Sequence, residues 1–121
     1  MISLDFKNAI KNNNIHIVKK LLKDPRINPN EQDYQAVRAS FVLGNLEIIQ
    51  LLFNDNRINA SIDLNYHAYI AARHNHLDII KYLIDEYSFN IANDDYNVFK
   101  ISCENGHINL VNFIIFFYSI I

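Results

Sequence analysis

Hydrophobic residues recur along this chain with a stride of 31. Starting from Asn14-Ile15-His16-Ile17-Val18, equal steps lead to Asn45-Leu46-Glu47-Ile48-Ile49, His76-Leu77-Asp78-Ile79-Ile80 and His107-Ile108-Asn109-Leu110-Val111, without insertion or deletion. Five slots are apolar in all four units: Ile15/Leu46/Leu77/Ile108, Ile17/Ile48/Ile79/Leu110, Val18/Ile49/Ile80/Val111, Leu21/Leu52/Leu83/Ile114 and Leu22/Phe53/Ile84/Ile115. Self-similarity at such a period marks stacked repeats, in which each unit hides its apolar face against its neighbour.

Within a unit these slots fall at relative positions 0, 2, 3, 6 and 7. That spacing draws one broad stripe along a helix of about ten residues. The slot before it holds Asn13, Gly44, Asn75 and Gly106, residues that enter the left-handed region cheaply and so close a preceding helix. Upstream, the small-residue slot Ala9/Ser40/Ala71/Ser102, with Phe6, Val37, Ala68 and Phe99 one turn earlier, gives that first helix a face for close packing. Asp24-Pro25-Arg26-Ile27-Asn28-Pro29 and Asp55-Asn56-Arg57-Ile58-Asn59-Ala60 form polar connectors, each anchored by an Ile. No continuous strand pattern occurs. The prediction is an all-α, helix-turn-helix solenoid of four repeats with short inter-repeat loops, approximately 4–34, 35–65, 66–96 and 97–121, in a single domain over 1–121.

These residues resemble the ankyrin repeats. The resemblance is carried by Asn75-His76-Leu77-Asp78-Ile79-Ile80 and Gly106-His107-Ile108-Asn109-Leu110-Val111, which match that family's Gly-His-Leu-Glu-Ile-Val turn, and by the Ala71-Ala72 pair. The usual period is about 33, and the usual Thr-Pro-Leu-His opening is replaced by Gln35-Ala36-Val37-Arg38, Tyr66-His67-Ala68-Tyr69 and Asn97-Val98-Phe99-Lys100. The missing residues fall where the family's hairpin finger forms, so a shorter loop is expected there. The Asp-Pro-Arg-Ile-Asn-Pro connector is similar to a subtype found in giant viruses of amoebae and in protists.

The resemblance implies a short inner helix paired with a longer outer one, and a non-catalytic scaffold that binds another protein on its concave inner-helix face. Matched to the family's contact positions, the inner-helix ends Lys11, Asn12, Val42, Leu43, Arg73, His74, Glu104 and Asn105 face the partner, joined by Tyr34 and Tyr96. Val42 and Leu43 are apolar where the other units carry polar residues, which suggests a dry centre inside a polar rim. The competing reading tucks Leu43 under a neighbouring loop.

Other chemistry is weaker. His67, His74 and His76, and Cys103 with His107, raise a metal site or a metal-dependent enzyme using the histidines. Helix ends at Asn75 and Gly106 are expected to make these side chains diverge, and the resemblance instead gives His76 and His107 hydrogen bonds to the backbone of adjoining repeats. Cys103 aligns with Ile10, Phe41 and Ala72 and reads as buried, inert packing. Asp85-Glu86 and Asp94-Asp95 read as surface charge on solvated connectors. No catalytic, cofactor-binding or metal residues are assigned, and no cofactor is implied.

Composition adjusts this picture in three ways. A formal charge of −2 over 121 residues argues against nonspecific nucleic-acid binding, although residues 1–30 carry six Lys or Arg against two Asp. Lys7, Lys11, Lys19, Lys20 and Lys23 read as a solubilising cap, with an acidic partner as the alternative. One cysteine and an opening segment unlike a leader point to the cytoplasm, the host's if the source is viral, and leave the Asn59-Ala60-Ser61 sequon idle. Finally, Leu110 to Ile121 is almost wholly apolar yet too short and interrupted for a bilayer span. It is expected to be covered by another chain, a second copy or further repeats, which leaves a self-assembling structural protein as an alternative.

Overall fold

At the close of each inner helix the backbone flips. Asn13, Gly44, Asn75 and Gly106 have φ of 56°, 74°, 64° and 67°, so the slot chosen from sequence is left-handed in all four units. At Gly106 a Cβ would meet no atom within 4 Å; the backbone angle alone makes glycine favourable there.

The computed structural model describes residues 2–59 and 62–119, with side chains described for all of these except Ile2, Ser3, Leu4, Asp33, Asn59 and Ser119. The chain divides into two compact units, Met1–Ile62 and Asp63–Ile121. The first contains α1 (Ile2–Lys11), α2 (Ile15–Leu22), α3 (Glu31–Leu43), α4 (Leu46–Phe53) and the short α5 (Asn56–Asn59). The second contains α6 (Leu64–Arg73), α7 (Leu77–Tyr87), α8 (Asn93–Glu104) and α9 (Ile108–Ser119). The described residues include no strand, and the fold class is all-α helical repeat.

Each unit holds two hairpins. Inner helix α1 packs on α3 in the first and α6 on α8 in the second, while each inner helix lies against its own outer helix. The small-residue slot allows this approach: Ala9, Ser40, Ala71 and Ser102 are all buried. Ser40 Oγ donates to the Val37 carbonyl (2.6 Å) and Ser102 Oγ to the Val98 carbonyl (2.7 Å), so neither hydroxyl is buried without a partner. Outer helices start on side-chain caps in the first unit, where Asn14 Oδ1 accepts from the Ile17 amide and Asn45 Oδ1 from the Ile48 amide. The apolar stripe then closes the core through Val18, Ile48, Ile49 and Leu52 in one unit and Ile79, Ile80, Leu83 and Leu110 in the other.

The connectors confirm one expectation and correct others. Ile27 and Ile58 are buried, as anchors of polar loops should be, and Phe89 fills the equivalent slot in the third connector. The second connector is not a plain loop, because α5 forms within it; the first connector carries Pro29, which disfavours helical backbone at the residue before it, where the second has Ala60. Asp85 and Glu86 are exposed but lie in the last turns of α7, not in a connector. No proline interrupts that segment, so the helix runs on until Ser88 turns left-handed at φ 53°. The outer helices are not uniformly the longer ones: α2 and α4 have 8 residues each against 10 in α1 and 13 in α3.

Cys103 also departs from expectation: it is exposed. Its counterparts Ile10 and Ala72 are buried because α3 and α8 pack on the helices that carry them, whereas no described element packs on that face of α8. Ala60, Ser61, Ile120 and Ile121, named in the sequon and the apolar stretch, lie outside the described residues.

Candidate functional site

The predicted contact residues fall into two sets, one per unit. In Met1–Ile62, Lys11 and Asn12 close the first inner helix and Val42 and Leu43 the second. Asn45 Nδ2 donates to Asn13 Oδ1 across the two turns, which holds these helix ends side by side. Lys11 and Asn12 are exposed, Val42 is 39% exposed and Leu43 51%. Leu43 is therefore not tucked away. An inner helix that turns adjacent apolar side chains to water beside polar neighbours has the composition of a contact patch.

In Asp63–Ile121, Arg73, His74, Glu104 and Asn105 are all exposed. Here the turns are tied by His107, whose Nε2 lies 2.8 Å from the Arg73 carbonyl and must carry the proton to donate to it. This is the backbone role expected for His107. Asn105 Nδ2 folds back onto the Ile101 carbonyl at 2.9 Å, which closes the end of α8. His74 and His76 do not diverge as expected: their rings lie nearly parallel, 17° apart with centroids separated by 6.3 Å. The left-handed Asn75 between them reverses the chain and returns the second ring beside the first. Partial burial, followed by the positive neighbours His76, Arg73 and His107, holds the His74 pKa below 6.5.

Tyr34 and Tyr96 occupy the other ends of their inner helices. Tyr34 is half-buried with φ 64°. Tyr96 follows Asp94 and Asp95 in three consecutive left-handed residues and packs edge-on against Tyr118 at 6.3 Å. Eight residues of helix, roughly 12 Å, separate it from Glu104.

The remaining candidates are dispersed. His67 is buried, with Nδ1 2.8 Å from the Asp63 carbonyl. Among the described residues no three His, Cys, Asp or Glu side chains converge as metal ligands. A pocket of about 200 Å³ lies between α1, the first connector and α3. Lys11, Lys19, Lys20 and Lys23 are exposed, Lys7 partly so. No described helix is long and apolar enough to cross a membrane.

Sequence reasoning missed Arg57. Its Nη1 donates to the Ile27 carbonyl (2.7 Å) and its Nη2 to the Leu22 carbonyl (3.0 Å), while Asn30 Nδ2 donates to the carbonyl of Arg57 (2.7 Å). Asp55 holds the guanidinium from behind, accepting from Nε at 2.9 Å and Nη2 at 2.6 Å. The signal was present in the repeated Asp-x-Arg-Ile of the two connectors, a spacing that lets a carboxylate and a guanidinium pair on one turn.

Comparison of the chain with curated proteins and with solved structures gives no match. The family model for ankyrin repeats (3 copies) matches residues 36–120, the second to fourth of the helical hairpins described above. With the left-handed turns, the buried small-residue slot and the His107 bond in place, the chain belongs to the ankyrin-repeat family.

Proposed function

We propose that the chain is a non-catalytic binding module whose inner-helix ends dock another protein. Ankyrin repeats are generally protein-interaction modules. The observation that carries the reading is the exposed Val42-Leu43 pair, set beside Lys11 and Asn12 by the Asn45 to Asn13 bond. Turns fixed in this way lose little conformational freedom when a partner arrives. Arg73, His74, Glu104 and Asn105 give the second unit a polar contact row of its own.

The test is affinity capture with the intact chain and with Leu43→Asp and Arg73→Glu variants, each checked for retained helicity. Loss of the same captured protein from either variant supports the site; capture unchanged by both rejects it.

Self-association through the last repeat is a second reading, favoured by Ile108 and Phe116, which are 70% and 67% exposed. The stride of 31 and the Asp-Pro-Arg-Ile-Asn-Pro connector further support the subtype resembling repeats of giant amoebal viruses and protists. On that reading the protein works in the cytoplasm, the host's where the source is viral, as one domain over 1–121 and without specific nucleic-acid or membrane binding.

A further inference from the structure

Four basic side chains gather where the inner helices of the second unit end. Arg73 and His74 close α6 and are exposed. The left-handed Asn75 returns His76 beside His74, with the two rings nearly parallel and 6.3 Å apart. From the next turn His107 reaches the Arg73 carbonyl at 2.8 Å, which draws the two turns into one patch. Partial burial, and then the positive His76, Arg73 and His107, hold the His74 pKa below 6.5, so three neighbours of like sign act on a single imidazole.

The helices packed on α6 do not neutralise this patch. They are α7 and α8, whose carboxylates at this end are the exposed Asp78 and Glu104. Among the described residues Arg73, His74 and His107 form no ion pair with either. Lys81 of α7 lies at the Phe113 ring instead and Lys100 of α8 is held by Asp95, while Asp85, Glu86 and Asp94 stand at the opposite ends of those helices. A permanently charged guanidinium beside an imidazole that folding keeps neutral couples binding to protonation. An incoming carboxylate favours the protonated ring, and by reciprocity the protonated ring favours the carboxylate. A cationic or apolar group gains nothing from the same surroundings.

We propose that Arg73, His74, His76 and His107 together receive a glutamate or aspartate side chain of the partner protein, and that His74 takes up a proton as it docks. This rests on the reading of the inner-helix ends as a contact surface and assigns the chemistry that the second unit recognises. The test is a nuclear magnetic resonance titration of the intact chain with capped tetraglutamate, and with capped tetraglutamine as the neutral control, at about pH 5.5 and about pH 7.5, on either side of the imidazole range. Tetraglutamate is expected to shift the amides of Arg73 to His76 and of His107, to raise the His74 titration midpoint, and to bind roughly tenfold more tightly at the lower pH. Tetraglutamine is expected to do none of these. His74→Gln should leave binding at the higher pH unchanged and lose most of the gain on acidification, whereas Arg73→Glu should weaken binding at both pH values by at least about tenfold, each with helicity retained by circular dichroism. Equal affinity at the two pH values, or a pH response undiminished in His74→Gln, overturns the proton uptake. Shifts confined to the lysines of residues 7–23, or no binding at either pH, overturn the acidic partner group as well. Neither failure touches the contact-surface reading, which stands or falls on affinity capture with Leu43→Asp and Arg73→Glu.

Discussion

In the unit Met1–Ile62 the two connectors are joined by a cation. Arg57 reaches from one connector to the Leu22 and Ile27 carbonyls at the other, braced by Asp55. In Asp63–Ile121 the equivalent position is Ser88, left-handed at the end of α7, and the joint relies on other groups. Phe89 is buried beneath it, Tyr118 Oη donates to Asn90 Oδ1 at 3.1 Å, and Lys81 lies 5.2 Å from the Phe113 ring centroid. The same stride is therefore secured by a fork of directed hydrogen bonds in one unit and by aromatic packing in the other. Directed bonds depend on geometry and ionisation, whereas buried rings depend on volume.

Phe89→Ala should break the aromatic side of this contrast most severely, costing about 3 kcal/mol. Hydrogen exchange would show amides of 63–119 losing protection ahead of those in 2–59. Arg57→Ala should weaken the other unit by about 1 to 2 kcal/mol, a figure already reduced for a side chain that remains 38% exposed. Arg57→Lys should not restore it, because a single ammonium cannot reach both carbonyls and Asp55 as the fork does. Arg26 belongs to the same motif but is 74% exposed and pairs only with Asp24 of its own connector, so Arg26→Ala should lower the melting temperature by less than Arg57→Ala does.

Acid titration sharpens the contrast with a smaller effect. Hydrogen bonds from Arg26 hold the Asp24 carboxyl at about 2, and those from Arg57 keep Asp55 below the usual 3.8. A carboxyl depressed by folding stabilises above its unfolded pKa, so this contribution is present above about pH 4 and is lost as the pH falls toward 2. His74 in the other unit is held below 6.5 and therefore favours the neutral ring when folded. Its contribution is present above pH 6.5 and is lost as the pH falls below that value. Exchange protection should decline in 63–119 as the medium becomes mildly acidic, while 2–59 holds until its carboxylates protonate. The smallest effect belongs to Cys103→Ser, expected within about 0.5 kcal/mol of the parent for an exposed position; a larger loss in thermal unfolding would return Cys103 to the core.

The helices and turns were legible because they rest on local rules. Apolar slots at helical spacing and a Gly or Asn at the left-handed position determine the hairpin whatever lies beside it. Positions whose surroundings depend on the next repeat were not legible in this way. Cys103 was assigned to the core by analogy with Ala72, but burial there comes from the helix that follows. The facing rings of His74 and His76 escaped a reading that ended one helix at Asn75 without following the reversal. Arg57 was missed because its carbonyl acceptors lie about thirty residues away, at a distance only the stacked repeats can close. At the proposed contact face, Val42 and Leu43 are exposed, while Tyr34 and Tyr96 stand at the far ends of their helices.

The left-handed residue that ends each inner helix also meters the chain. One residue added just ahead of it would swing the following outer helix by roughly 100°, turning Ile48, Ile79 or Leu110 from the interior toward water. A whole extra stride of thirty-one would leave every such angle unchanged. Lengthening by entire hairpins is thus mechanically neutral for this architecture, and a single-codon insertion at the same place is ruinous.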